Sequence, residues 1–265
     1  MVYFANDRSH DIGQSMRLFL RNRRPELFEQ MDNPLCDQEA LFRTYDAFER
    51  VNRNLAGWRG LYIRYIRPMA RELDEALTLL DIGSGGGDIT RAICRWAAQD
   101  GLIVKATALD IDGRALDYIS QRGWANHERT QPHSLDAHIS YRQGHTQELI
   151  GEGLTFDLII TNHVLHHMSD EECLELCKHA ELLLNDRGLV LFNDIHRSDL
   201  AYGLFSLATL GRFSGTFIRG DGLRSIRRSY TVQELRDILP TSWSVNKMWP
   251  FRVVVTYQAS DYEKQ

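Results

Sequence analysis

Between Leu79 and Asp88 the chain reads Leu-Leu-Asp-Ile-Gly-Ser-Gly-Gly-Gly-Asp, with Gly83, Gly85 and Gly87 at alternate positions between an apolar run and a helical segment. Glycine there permits positive φ and lets the backbone approach a ligand with no Cβ in between. A glycine-rich string alone is weak evidence; at a strand-turn-helix junction it is a ligand cradle. Asp81 lies inside the run that feeds the loop. A carboxylate there repels a pyrophosphate but can receive, directly or through water, the ammonium of an amino-acid moiety. Asp110 ends the next apolar run, in Leu109-Asp110-Ile111-Asp112. An acid at that place accepts hydrogen bonds from ribose hydroxyls, a contact that a dinucleotide would also use.

A second set of residues could move protons. One apolar run ends in Asn162-His163, with His166-His167 close behind, and another ends in Asp194-Ile195-His196-Arg197. In an open α/β sheet both ends face the ligand crevice at the carboxyl edge of the strands. Histidine titrates near neutral pH and suits removal of a proton from a hydroxyl group. His196 ranks first as the base because it opens an insertion expected to wall a second pocket; His167 and His163 follow. His166 reads rather as part of a turn packed against the ligand. Asp170 and Asp194 stand near these histidines, but regular helical ligand spacing is missing, so no metal is expected.

These residues need elements to hold them. From Leu77 on, short apolar runs alternate with helical segments, the pattern of a parallel sheet with crossovers. Strands are predicted at 77–82, 103–109, 137–142, 156–161 and 188–194, and helices at 88–98, 113–121 and 169–184, the last opened by Ser169 and Glu172 at capping-box spacing. A helix from Thr231 to before Pro240 and strands at 243–248 and 252–258 close the chain. The fold class is therefore α/β, a doubly wound, mostly parallel seven-stranded sheet over residues 73–265. Residues 1–72 are expected to form a helical extension or cap, because Leu41, Phe42, Tyr45, Phe48, Val51, Leu55 and Trp58 recur at three- and four-residue steps. Residues 197–228 are too many for a plain connection and read as a lid or substrate wall. Tyr202, Phe205, Phe213, Phe217 and Tyr230 offer it an aromatic lining. Arg212, Arg219, Arg224, Arg227 and Arg228 offer a solvated face, or a clamp for a carboxylate or phosphate.

Asp81-Ile82-Gly83-Ser84-Gly85-Gly86-Gly87 resembles the first motif of the class I S-adenosylmethionine-dependent methyltransferases. Asp110 resembles the acid closing that family's second strand, and the stretch from Phe156 to His167 looks like its fourth motif. The likeness runs from about residue 77 to 195, and more loosely to the C-terminus. It implies S-adenosyl-L-methionine as methyl donor and S-adenosyl-L-homocysteine as product. It places Gly83, Gly85 and Gly87 along the amino-acid end of the donor and Asp110 at the ribose, and Asp81, Ser84, Ile111 and Asn162 are expected among the donor-binding residues. The family commonly carries an aspartate after the glycine that follows strand three. This chain has Gly144-His145-Thr146, which leaves His145, Thr146, a backbone group or Gln143 for the adenine contact. The segments 21–25, 194–198 and 221–228 look like bacterial small-molecule methyltransferases of polyketide or phenolic-lipid pathways. That likeness implies O-methylation of a hydroxylated aromatic or lipophilic molecule in secondary metabolism. Carbon or nitrogen methylation, or donor binding without catalysis, are the alternatives on the same scaffold.

Composition bounds the partners. The net charge is −5, and 31 basic residues are scattered among 36 acids, so no continuous basic field marks a nucleic-acid surface. Cys36, Cys94, Cys173 and Cys177 lack paired metal-site spacing and are expected as reduced, buried thiols of a cytoplasmic protein. The opening residues carry charges where a signal peptide needs an apolar stretch, and no window approaches the roughly 20 apolar residues of a membrane span. The expected partner is a small-molecule acceptor, for a monomer or homodimer.

Overall fold

The run Leu77–Ile82 keeps Leu77, Leu79 and Leu80 wholly out of solvent, as a strand covered on both faces requires. It is β1 of a computed structural model that describes residues 20–124 and 138–259. The others are β2 (Val104–Asp110), β3 (Ile139–Gln143), β4 (Phe156–Asn162), β5 (Leu184–Ile195), β6 (Ser244–Met248) and β7 (Arg252–Gln258). They form one seven-stranded sheet in the order β3-β2-β1-β4-β5-β7-β6. The first five pair in parallel, while β7 runs antiparallel to both β5 and β6. This is the doubly wound, Rossmann-like sheet that the alternating runs predict.

Before the sheet come α1 (Gln38–Leu55), α2 (Trp58–Leu61), a π-helical segment (Tyr62–Ile66) and α3 (Arg67–Glu72). Within it lie α4 (Asp88–Gln99), α5 (Gly113–Gln121), α6 (Thr146–Gly151), α7 (Asp170–Leu182), α8 (Asp199–Ala208), α9 (Ile218–Arg228) and α10 (Val232–Ile238). One face of the sheet packs on Trp58, Tyr62, Ile66, Ile89 and Ile93, the other on Cys173, Leu176, Leu235 and Trp243. A third cluster joins Leu41 and Tyr45 of α1 to Tyr118 and Ile119 of α5.

The elements depart from the sequence reading in places with physical reasons. Among the described residues helix begins at Gln38, where Asp37 accepts from the N–H groups of Glu39 and Ala40; Pro25 and Pro34 leave residues 20–37 with one 3-10 turn, Gln30–Asp32. Leu55 falls off the buried stripe and is half exposed. β5 starts at Leu184, four residues earlier than its periodicity suggests: Leu184 pairs with Phe156 across a register shift, and Arg187 takes φ 64°. Ile139 opens β3, and Ala137 lies outside the described residues, as do residues 1–19. The six-residue α6 is too short for periodicity to reveal. The long insertion folds into two packed helices, α8 and α9. Cys94, Cys173 and Cys177 are buried free thiols, whereas Cys36 is only half buried.

Candidate active site

The strand order reverses between β1 and β4, which opens a crevice at their carboxyl ends. The loop after β1 stands there, with Gly83, Gly85 and Gly87 at φ +70°, +51° and +72°. A Cβ on Gly83 would meet Val164 Cγ2 at 2.6 Å, and one on Gly87 would meet Tyr141 Cε1 at 2.9 Å. The N–H groups of Gly83 and Ser84 donate to the Leu109 carbonyl at 2.8 and 3.1 Å, and that of Gly85 donates to Asp110 Oδ2 at 2.7 Å. Asp110 Oδ1 accepts from Asp112 N–H at 2.9 Å. Each Asp110 oxygen retains acceptor capacity, and burial pushes this carboxyl above the ordinary range. Ile111, next to it, is 67% exposed.

Asp81 is 2% exposed. Its Oδ2 accepts from Thr90 Oγ1 at 2.5 Å, while its buried Oδ1 has no hydrogen-bond partner. Burial pushes this carboxyl up to about 7. A carboxylate held out of water with one oxygen unpaired is costly unless a cation or donor completes it. The ammonium of an amino-acid moiety fits that atom, and the glycine loop beside it gives such a ligand backbone access.

At the next strand ends Arg252 organises a buried network. Its guanidinium donates to Asn193 Oδ1 at 2.9 Å, Asn162 Oδ1 at 3.1 Å and His163 Nε2 at 3.0 Å. Trp58 Nε1 donates to the same Asn162 oxygen at 3.0 Å. Because a guanidinium only donates, His163 Nε2 must accept, which assigns the ring proton to Nδ1. Burial and the Arg252 charge hold His163 well below its ordinary pKa and so neutral.

His166 is 1% exposed. Its Nδ1 lies 2.7 Å from Asp194 Oδ1, and its backbone N–H donates to Asp194 Oδ2 at 3.0 Å. The other nitrogen, Nε2, is 3.4 Å from Glu29 Oε1. Burial lowers the pKa of His166, but Asp194 and Glu29 outweigh it and raise the ring to about 9. Against the upward push of burial, His166 holds Asp194 well below the usual carboxylate range. His167 Nδ1 lies 3.1 Å from Asp32 Oδ2, and its side chain is about one-third exposed.

Glu29 comes from the stretch ahead of α1. It is buried, accepts from Ser225 Oγ at 2.9 Å and has Arg228 Nη1 at 3.8 Å. The same stretch is tied down along its length. Arg23 donates to the His166 carbonyl at 3.1 Å with its guanidinium over the Tyr230 ring, and Asp221 accepts from the N–H groups of Gln30 and Met31 at 2.8 and 2.9 Å.

The structure gathers Asp81, the glycine loop, Asp110, Asn162, His163, His167 and Asp194 at one edge of the sheet. His196 lies just past β5, its N–H donating to the Phe251 carbonyl at 2.8 Å. His145 is exposed at the start of α6, whereas Thr146 is buried with Oγ1 2.9 Å from His179 Nδ1. Three of the insertion's five arginines are bonded internally: Arg219 to Ser206 and Thr209, Arg224 to Asp221, and Arg228 to the His166 carbonyl. The ligand atoms of Glu29, His166 and His167, and those of His163, His166 and Asp194, lie within 4.8 Å of one another, but guanidinium charges from Arg228 and Arg252 already balance these carboxylates. Sequence reading leaves out Glu29 and Arg252 altogether and ranks His196, His167 and His163 ahead of His166. For His166 a signal was there, an acid ending the neighbouring strand; for Glu29 no local pattern points to it.

A family model described as a methyltransferase domain matches residues 48–239. The chain belongs to that methyltransferase family. A ubiquinone biosynthesis O-methyltransferase of Caulobacter vibrioides is 32% identical over 137 residues, 51% of this chain and 47% of the relative. The chain thus spans about half the length of the curated relatives it matches. Among solved structures, human N-acetylserotonin methyltransferase in complex with S-adenosylmethionine superposes with a TM-score of 0.52 at 15% identity, covering 84% of this chain and 57% of that one. An O-methyltransferase family 2 protein of Planctomyces limnophilus in complex with apigenin gives 0.56 at 16% identity, covering 85% and 62%. The domain is a class I S-adenosylmethionine-dependent methyltransferase domain, and its seven-stranded sheet is the fold of that class.

Proposed function

We propose that this methyltransferase transfers the methyl group to a hydroxyl oxygen of an aromatic or otherwise lipophilic small molecule, with His166 as the general base. The observation that carries the reading is the His166–Asp194 pair at the strand edge next to the glycine loop. Asp194 fixes the ring with its proton on Nδ1 and leaves Nε2 as the basic nitrogen. S-adenosylmethionine, when bound, supplies a methyl group already activated on a sulfonium. What the chain must add is alignment, exclusion of water and a place for the acceptor's proton. Nε2 of His166 takes that proton when the acceptor hydroxyl replaces Glu29 beside it. Losing the Glu29 contact removes the smaller of the two carboxylate influences that raise the ring to about 9, which shifts it toward the neutral form that accepts a proton.

His163, His167 and His196 take lesser roles in this reading. The accepting nitrogen of His163 is held by Arg252, and the Nδ1 of His167 faces Asp32. Around the donor, Asp81 receives the ammonium, the backbone of Gly83, Ser84, Gly85 and Gly87 lines the amino-acid end, and Asp110 accepts from the ribose. The exposed Ile111 offers the adenine an apolar contact. Asn162, its side chain bonded to Trp58 and Arg252, shapes the floor. His145 is the exposed group nearest the expected adenine end, while Thr146 serves α6 packing. An aromatic acceptor is supported by the Caulobacter relative, named for ubiquinone biosynthesis, and by the Planctomyces neighbour, solved with apigenin.

The test is methyl transfer from labelled donor to a panel of phenols and amines. His166→Gln should lower transfer to a phenol about 10²–10⁴-fold while S-adenosylhomocysteine titrates with wild-type affinity. Unchanged turnover in that variant, or transfer to amines alone, sinks the reading.

A further inference from the structure

The helix α8 is built inside out. Residues 200–211 carry no charged side chain. Two of the polar side chains among them turn inward: Ser206 Oγ accepts from Arg219 of α9 at 3.4 Å, and Thr209 Oγ1 donates to the Phe205 carbonyl and accepts from Arg219. Ala201 is buried and Phe205 packs against Gly222 of α9. The leucines face out, with Leu200 51%, Leu204 48%, Leu207 70% and Leu210 65% exposed. Their spacing of four, three and three residues puts them on one side of the helix and the turn that follows it. A surface helix ordinarily shows the opposite arrangement, and a helix apolar on its outer side calls for a cover.

Charge says what that cover is. Exposed arginines flank the leucine face at both ends. Arg21 stands at the start, where the Leu20 N–H donates to Asp199 Oδ1 and the Arg21 carbonyl accepts from Arg197; Arg212 follows Leu210 at the other end. A second copy of the chain on this face gains nothing net from charge: an antiparallel pairing puts the partner's Arg212 beside both Arg21 and Asp199, and a parallel one puts each charge beside its own counterpart. A surface of anionic lipid headgroups takes the leucines into its acyl boundary and pairs both arginines with phosphates. The β6–β7 turn, whose Trp249 is 80% exposed, joins the same edge of the sheet, because Phe251 accepts from His196 in the connection leading to α8.

We propose that the outer face of α8 (Leu200, Leu204 and Leu207, with Leu210), flanked by Arg21 and Arg212, seats the protein on an anionic lipid surface. The face lies on the lid that covers Glu29 and His166, so a lipid-dissolved small molecule would meet the site from the side that touches the bilayer. The docking itself is independent of which acceptor is methylated.

The experiment is flotation of the full chain with phosphatidylglycerol–phosphatidylcholine vesicles and with pure phosphatidylcholine vesicles. The full chain should float with the former and much less with the latter, and added salt should release it. Leu204→Asp with Leu207→Asp should reduce flotation at least about tenfold. Arg21→Gln and Arg212→Gln should each reduce it about fivefold, the equivalent of roughly 1 kcal/mol per arginine near an anionic surface. Wild-type affinity for S-adenosylhomocysteine in all variants shows that they are folded. Equal flotation of wild type and the double aspartate variant, or none by wild type, overturns the proposal. So does a wild-type dimer in sedimentation that the aspartates convert to monomer.

Discussion

Asp81→Asn should stabilise the free protein while destroying donor binding. Burial raises Asp81 from an ordinary 3.8 to about 7, so the folded protein binds a proton here that the unfolded chain gives up. Stability from this group is therefore greatest at low pH and falls as the pH rises from 3.8 to 7. At roughly 1.36 kcal/mol per pH unit, the cost in the wild type is about 4 kcal/mol at pH 7.5 and about 2 kcal/mol at pH 5.5. Asparagine does not titrate. Its amide carries some fixed cost beside the orphaned oxygen's position, about 1–3 kcal/mol, but that cost is the same at both pH values and cancels. The advantage of the variant over wild type should thus grow by about 2 kcal/mol between pH 5.5 and 7.5, or ~4–8 °C in Tm for a domain of this size. Scanning calorimetry of the two free proteins measures it. Titration of the same samples with S-adenosylhomocysteine should show a loss of about 10²-fold or more in the variant, because the ammonium loses its buried counter-charge. A Tm difference that does not change with pH, or a variant that binds as well as wild type, would refute the assignment of Asp81.

Glu29→Gln removes one of the two carboxylates that hold His166 at about 9, so the rising limb of kcat/KM against pH should move down by on the order of one unit; an unmoved limb means Glu29 does not act on the base. Gly83→Ala forces a side chain at φ +70° into Val164 Cγ2 at 2.6 Å and should cost about 2–4 kcal/mol in urea unfolding. Adding Val164→Ala should recover the packing part and leave the backbone part; no recovery means the clash is not the cause.

Most of the sheet and the conformation of the glycine loop were legible in the sequence because both are local. Strands buried on both faces write continuous apolar runs, and a turn that needs positive φ at three positions writes three glycines. Strand edges were legible to a residue or two, except at β5, where residues 185–187 carry turn chemistry and the strand absorbs them in a register shift. The sequence ranks other histidines ahead of His166, the base proposed above, for a different reason. His163, His166, His167 and His196 look alike in sequence. Only the pairing of β4 with β5, Asn162 against Asn193, shows that the next residue, Asp194, reaches His166.

Glu29 could not be read at all, since 137 positions separate it from His166, and the chain around it has neither helical nor strand period. Its place in the fold nevertheless has a consequence for how the two halves of the site act together. Four residues beyond Glu29 at most, the carbonyls of Met31 and Asn33 accept from Arg114 at 2.9 and 2.8 Å, and Arg114 is paired with Asp112, whose N–H donates to Asp110. One short segment therefore touches Nε2 of His166 and, through Arg114 and Asp112, the Asp110 carboxylate. In the proposed reading, an acceptor that displaces Glu29 from His166 shifts a segment that also braces Asp110. In that reading donor bound at Asp110 in turn changes how readily Glu29 gives way, with the same coupling free energy in both directions.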